Sequence, residues 1–188
     1  MKNDFKICPM CGSQKIECCG NRKWICPECG FDLYNNVAAA VGLVIFDDQF
    51  NVLFEERAKH PKKGFAALPG GFVDFDESAE EACVRECREE LSVEICPKDL
   101  KFIASFPNTY VYKNIEYKTC DLFFYIKLPK KYNSLKDFMR DLKPEISEVS
   151  KLVCYRVSNE EDIAKIPLAF ESAKKTLLKF VHLSFLGD

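Results

Sequence analysis

The chain has 188 residues, 47% hydrophobic and 13% aromatic, a composition that excludes a disordered protein and can build one ordinary core plus a small module. Lys and Arg (27) nearly balance Asp and Glu (29), so the net charge of -2 gives no general pull toward nucleic acid or membrane. No apolar run approaches the ~18 residues of a membrane span, and the start, Met1-Lys2-Asn3-Asp4-Phe5-Lys6, has no export stretch, so a cytoplasmic protein without a membrane partner is expected.

Six of the eleven cysteines fall in the first 29 residues, too uneven for a disulfide framework and better suited to bound metal. Cys8-Pro9-Met10-Cys11 and Cys26-Pro27-Glu28-Cys29, each followed by Gly, are separated by fourteen residues. That is the ligand spacing of a structural zinc site, so Cys8, Cys11, Cys26 and Cys29 are expected to close a tetrahedral shell around Zn2+. Such a shell leaves no open position for catalysis and serves to fold a segment too small for its own core. Cys18 and Cys19 lie between the two pairs, and either could substitute as a ligand. Trp24 beside Ile25 reads as cover for the ribbon's small core, in preference to a nucleic-acid stacking residue paired with Lys23. Residues 31–36 read as a connector.

Residues 37–46 form an apolar run that reads as a buried strand, followed by a turn at 47–51 and a second strand at 52–54. The polar loop after it gathers Arg57, Lys59, Lys62 and Lys63, either as a solvated loop or to meet substrate phosphates. Ser78 followed by Glu81 reads as a capping box, which places a helix from Ala79 to about Leu91. Ala82, Cys83, Cys87 and Leu91 make its apolar stripe, while Glu86, Glu89 and Glu90 share another face. Like charges at that spacing destabilise a helix by roughly a few tenths of a kcal/mol per pair. They read either as a solvated face relieved by Arg85 and Arg88 or as a site for a hard divalent cation.

Residues 101–106 and 110–128 read as further strands, the second folded into a hairpin near Lys113-Asn114. The aromatic and polar residues at 107–112 and 117–121 serve either strand packing or substrate selection. Residues 129–142 read as an exposed lysine-rich connection, 149–157 as a strand, 159–165 as a short helix and 168–183 as a longer packing helix. His60 and His182 are too isolated for a catalytic pair.

The order Gly71, Glu77, Arg85-Glu86, Glu89-Glu90, Ser92, Val93, entered through Pro69-Gly70-Gly71, resembles the box of the Nudix hydrolase family, with Ser92 where the family usually has Gly. The resemblance implies an α/β fold: a Nudix α/β/α sandwich with a mixed sheet over residues 37–188, preceded by a zinc ribbon and connector over residues 1–36. It implies Mg2+ (or Mn2+) held by the Gly70 carbonyl with Glu86, Glu89 and Glu90. Glu89 and Glu86 then rank ahead of Glu148 and Glu145 as the base, and Arg85 orients the carboxylates by pairing with Glu77 or a neighbouring acid. The implied reaction is hydrolysis of the pyrophosphate bond in a small nucleoside diphosphate derivative such as ADP-ribose or NAD(H). Substrate contacts are expected from Arg57 and Phe65 before the box and from Asn108 and Tyr110 after it. The layout is similar to NADH pyrophosphatases, although Ser105-Phe106-Pro107-Asn108-Thr109-Tyr110 stands where those enzymes carry Ser-Gln-Pro-Trp-Pro-Phe-Pro. A homodimer is compatible with the family. The alternative is a non-hydrolytic nucleotide sensor or an RNA-binding protein. Sensors commonly lose box glutamates, and this chain keeps all of them.

Overall fold

The computed structural model describes residues 5–20, 22–113 and 115–185. Strands β1 (Glu17–Cys19), β2 (Lys23–Ile25) and β3 (Asp32–Tyr34) form a small antiparallel sheet. A second, mixed sheet contains β4 (Ala38–Phe46), β5 (Asn51–Arg57), β6 (Ala66–Ala67), β7 (Lys101–Tyr112), β8 (Ile115–Lys127) and β9 (Val149–Arg156). Helices α1 (Ala79–Leu91), α2 (Leu135–Asp141), α3 (Glu160–Ala164) and α4 (Glu171–Phe185) flank it.

The mixed sheet runs β6-β5-β4-β8-β7, with β9 on the other side of β5. Its parallel seam joins β4 to β8 from Ala38↔Thr119 to Phe46↔Lys127, and the remaining pairs are antiparallel. Alternation along each strand divides the core into two layers. Val41, Leu43, Ile45, Leu53, Phe124 and Ile126 face α1 and α2. Val44, Val52, Phe54 and Phe123 face α3 and α4. The expected sandwich with a mixed sheet and an N-terminal ribbon is therefore present.

Four local expectations need correction. Asp32–Tyr34, inside the expected connector, is the third ribbon strand, paired with β2 through Trp24↔Leu33. The expected break at residues 107–109 is absent, because β7 is an edge strand and can accommodate Pro107, which has no N–H to donate. The last helix starts at Glu171, since Leu168 is instead bridged to Ala66 beside the sheet. Asn114, at the tip of the expected hairpin, and residues 1–4, read for export, lie outside the described residues.

The fourth correction concerns residues 129–142, which hold a helix docked on the core. Ser134 caps α2 by accepting from the Asp137 N–H at 3.2 Å, and the Leu135 N–H donates to the buried Asp47 carboxylate at 3.1 Å. Leu135, Phe138 and Leu142 then insert among the α1-facing side chains. Phe138→Ala should therefore lower the unfolding free energy by about 3–5 kcal/mol in urea denaturation, whereas a solvated connection would lose less than about 1 kcal/mol.

Candidate active site

The site begins where β5 leaves β4. Their pairing is recorded only at Phe46↔Val52, and farther along, the loop that enters α1 occupies the edge of β4. Val41 N–H donates to the Gly71 carbonyl at 2.8 Å, Leu43 N–H to the Pro69 carbonyl at 2.9 Å, and Val73 N–H to the Ala39 carbonyl at 3.1 Å. Gly70 has φ +142, and a Cβ there would stand 2.2 Å from the Val41 carbonyl oxygen. A Cβ on Gly71 would stand 2.4 Å from Glu86 Oε1. Gly70 is required sterically by the strand, whereas a side chain at Gly71 would displace the Glu86 carboxylate from its place against the loop.

Helix α1 is fixed at both ends. Ser78 and Glu81 form the capping box, and Ser92 ends the helix in the left-handed region with φ 56, its N–H donating to the Arg88 carbonyl. Ser92 thus adopts the conformation in which Gly is unstrained, and its Oγ donates to the Lys143 carbonyl at 3.1 Å. Between these caps, Glu86 and Glu90 project toward the glycine loop. Glu90 is buried and accepts from the Gly70 N–H at 2.9 Å.

Glu55 of β5 joins these box acids. It is only 4% exposed, and its Oε1 has no hydrogen-bond partner among the described residues. Burial pushes the Glu55 carboxyl up to about 8 despite its hydrogen bond with Glu90. Burial also raises Glu90 well above the usual carboxylate range, reinforced by the charge of Glu55, and raises Glu86 against the opposing effect of Arg85.

Arg85 braces the outer side of the cluster. Its guanidinium donates to Glu77 at 2.6 Å, Glu86 at 2.8 Å, Glu89 at 3.1 Å and the Phe72 carbonyl at 2.8 Å. The hydrogen bonds to Glu77 above all hold Arg85 in its charged form.

A cleft of about 370 Å³ opens at this divergence of β4 and β5. Arg85, Glu86 and Glu90 line it from the α1 side, Phe170, Ser172 and Ala173 from the α4 side, and Gly70 from the loop. Of the expected substrate contacts, Arg57, Asn108 and Tyr110 line the cleft. Phe65 does not: it is 40% exposed and lies under the Lys62 ammonium. Glu148 lines the cleft and pairs with Lys59 at 2.9 Å, while Glu89 is not among the lining residues and its side chain is 59% exposed.

Sequence reasoning missed Glu55, and it named Asp121 only within residues 117–121, read as strand packing or substrate selection, without its burial. Both were accessible through strand parity: Glu55 lies two residues beyond Leu53 on the α1 face, and Asp121 two residues before Phe123 on the α4 face.

In the ribbon, the Sγ atoms of Cys8, Cys11, Cys26 and Cys29 lie within 4.8 Å of one another. The Cys8–Cys29 and Cys11–Cys26 separations are both 3.7 Å. Burial raises the Cys8 thiol, but the N–H groups of Cys11 and Met10 leave it at about 7. At Cys11 the Ser13 N–H lowers the thiol, yet the crowded Cys29 sulfur helps push it to about 12. Four such thiols would ionise together only around a cation. Trp24 is buried and meets Phe5 edge-on at 4.8 Å.

The NUDIX domain family matches residues 37–174, the segment that carries this loop, helix and cleft. The chain belongs to the Nudix family. An ADP-ribose pyrophosphatase of Methanocaldococcus jannaschii is 41% identical over 78 residues, 42% of this chain and 46% of that protein. An NAD-capped RNA hydrolase, NudC, of Stutzerimonas stutzeri is 30% identical over 55% of this chain and 36% of that protein. The chain spans less than half the length of either relative. A NUDIX hydrolase structure from Nitrosomonas europaea superposes with TM-score 0.66 at 23% identity, covering 98% of this chain and 94% of that one. The NUDIX domain of Shewanella oneidensis NrtR complexed with ADP ribose superposes with TM-score 0.58 at 22% identity, covering 84% and 93%.

The Nudix carboxylates could hold a hard divalent cation, since Glu86, Glu90 and the Gly70 carbonyl offer oxygen donors and Glu55 lies buried behind them. Without a cation, neutral Glu55 favours the folded state below its ordinary 4.5, and that contribution disappears as pH rises through about 8. Metal-chelated protein should therefore melt at progressively lower temperature between about pH 5 and pH 8, and Glu55→Gln should flatten the slope. A melting temperature independent of pH in that window would contradict the crowding.

Proposed function

We propose that this chain hydrolyses the pyrophosphate bond of a nucleoside diphosphate joined to a second moiety, of the ADP-ribose or NAD class. The observation that carries this reading is the pair Glu86 and Glu90, backed by the buried Glu55, on one side of a cleft whose other side is aromatic and polar. A diphosphate would be repelled by such acids alone, so the cluster makes chemical sense as a cation cradle. The names of the archaeal and NudC relatives support the substrate class.

In this reading Glu86, Glu90 and the Gly70 carbonyl hold Mg2+ or Mn2+, and Glu89, at the solvent edge, completes the acidic face. The cation supplies charge neutralisation for the diphosphate and makes a water acidic enough to serve as the nucleophile. Arg85 keeps Glu86 turned toward the glycine loop through its bridge to Glu77. Gly70 N–H fixes the position of Glu90 Oε2. Glu148, exposed to the cleft, is assigned as the proton acceptor in place of the outward-facing Glu89. Arg57 is placed to meet a phosphate, anchored by its Nε donating to the Pro61 carbonyl at 2.9 Å.

The ribbon, assigned to residues 1–36 and separate from a catalytic domain over 37–188, is inferred to bind Zn2+. A tetrahedron with Zn–S bonds of about 2.3 Å has edges of about 3.8 Å, close to the 3.7 Å sulfur separations. The buried Trp24 supports a structural role over nucleic-acid stacking.

Three measurements test these assignments. In a magnesium-dependent screen of ADP-ribose, NADH, nucleotide sugars and nucleoside triphosphates, ADP-ribose or NADH should turn over, and turnover of none would refute the hydrolase reading. Glu90→Gln should lose at least about 1000-fold in kcat and Glu148→Gln about 100- to 10,000-fold with an intact fold. Near-wild-type rates would remove those roles. Trp24 is the chain's single tryptophan, so strong zinc chelation should red-shift its emission while the far-ultraviolet signal of the large sheet persists. Unchanged emission after metal removal would eliminate the zinc assignment.

A further inference from the structure

The acid cluster accounts for the α1 side of the cleft, but another buried carboxylate lines the cleft from the opposite face of the sheet. Asp121 on β8 is only 7% exposed. Its Oδ1 accepts from Thr119 Oγ1 at 2.6 Å, and its Oδ2 accepts from Asn108 Nδ2 at 2.9 Å and Ser172 Oγ at 2.8 Å. These donors are neutral, and no cation pairs with Asp121 among the described residues. Burying a carboxylate on neutral donors costs more than burying an apolar side chain in the same place, so packing gives no reason for this choice.

The lone-pair arithmetic is more informative. A carboxylate offers about four acceptor positions, and three are taken here, which leaves Oδ1 able to accept one more hydrogen bond at the cleft wall. An acceptor-only group can satisfy that position only with an N–H or O–H donor on whatever enters. An aromatic group lines the cleft with it: Tyr110 packs tilted against Phe170 at 6.0 Å and edge-on against Phe72 at 5.7 Å, centroid to centroid, and the Arg57 guanidinium lies over the Phe170 ring at 5.3 Å. Asn108 and Tyr110 follow Phe106 at period two, placing them on the same α4 face of the sheet as Asp121. Aromatic surface next to a fixed acceptor is suited to a nucleobase carrying an exocyclic amine.

We propose that Asp121 determines base specificity, reading the amine of an adenine-type base through Oδ1 while the Tyr110 side chain supplies neighbouring aromatic surface. This inference rests on the nucleotide reading of the cleft and names the substrate's base. Thr119, Ser172 and Asn108 are positioning residues that fix the carboxylate. The diphosphate then runs from this subsite toward Glu86 and Glu90, across the gap between β4 and β5.

The experiment compares ADP-ribose with IDP-ribose, in which a carbonyl oxygen replaces the exocyclic amine and would face the carboxylate. Titration calorimetry of the full chain, with Ca2+ replacing Mg2+ so that binding is read apart from turnover, should show IDP-ribose binding at least about 10-fold more weakly. Asp121→Asn, nearly the same shape but with a donor in place of one oxygen, should bring the two affinities within about 3-fold of each other. Equal wild-type affinities, a ratio that survives in the variant, or failure of both ligands to bind overturns the proposal. Should the variant fail to fold, the wild-type ratio decides alone. Loss of the hydrolase reading is separately visible: no turnover with Mg2+, with the affinity ratio intact, removes the catalysis and leaves the base subsite standing.

Discussion

The site depends on how closely the glycine loop approaches β4. Three backbone hydrogen bonds hold residues 69–73 on an edge that β5 has vacated, and a side chain on Gly70 would collide with the Val41 carbonyl. This seam positions the start of α1, so it also determines where Glu86 and Glu90 point. The Gly70 N–H donates to Glu90 while the Gly70 carbonyl remains available to the cleft. One peptide segment thus orients a buried carboxylate and packs against β4, which is possible only because no Cβ intervenes at Gly70.

Crowding of acids is the second constraint. Glu55 and Glu90 share a buried space in which burial raises both carboxyls. The charge of Glu55 raises Glu90 further, and the hydrogen bond from Glu90 only partly offsets the rise at Glu55, while Arg85 pairs with Glu77 and Glu86. The arrangement is unfavourable for an empty protein and favourable around a cation, so stability at the site has been exchanged for binding. The ribbon gathers four sulfurs in the same way, and a cation held by all four would have no position left for substrate.

Helix α1 was legible in the sequence down to its end residues because the capping box, the apolar stripe and the acidic face all agree. The loop and Arg85 were legible through motif spacing. Helix α2 was hidden because it is short and four of its seven residues are charged, and its Ser134 cap and the Leu135, Phe138 and Leu142 spacing are short signals. The burial of Glu55 and of Asp121 was hidden for a different reason. Each is a charged residue at the buried parity of a strand, where sequence pattern alone treats it as the end of an apolar run. Only the folded sheet shows Glu55 buried behind Glu90 and Asp121 at the wall of the cleft.

The parallel seam between β4 and β8 also determines when this protein can work. It joins positions about 80 residues apart, with the glycine loop, α1 and all of β7 contained in the intervening chain. The closure entropy of that long loop must be met before its contacts form, which places assembly of the large sheet among slow, non-local folding events. The ribbon pairs only neighbouring strands within about 20 residues and can form early. During synthesis the cysteine cluster can therefore form while the cleft still lacks a wall, and the acids of α1 face a complete cleft only after Phe170, Ser172 and Ala173 have emerged.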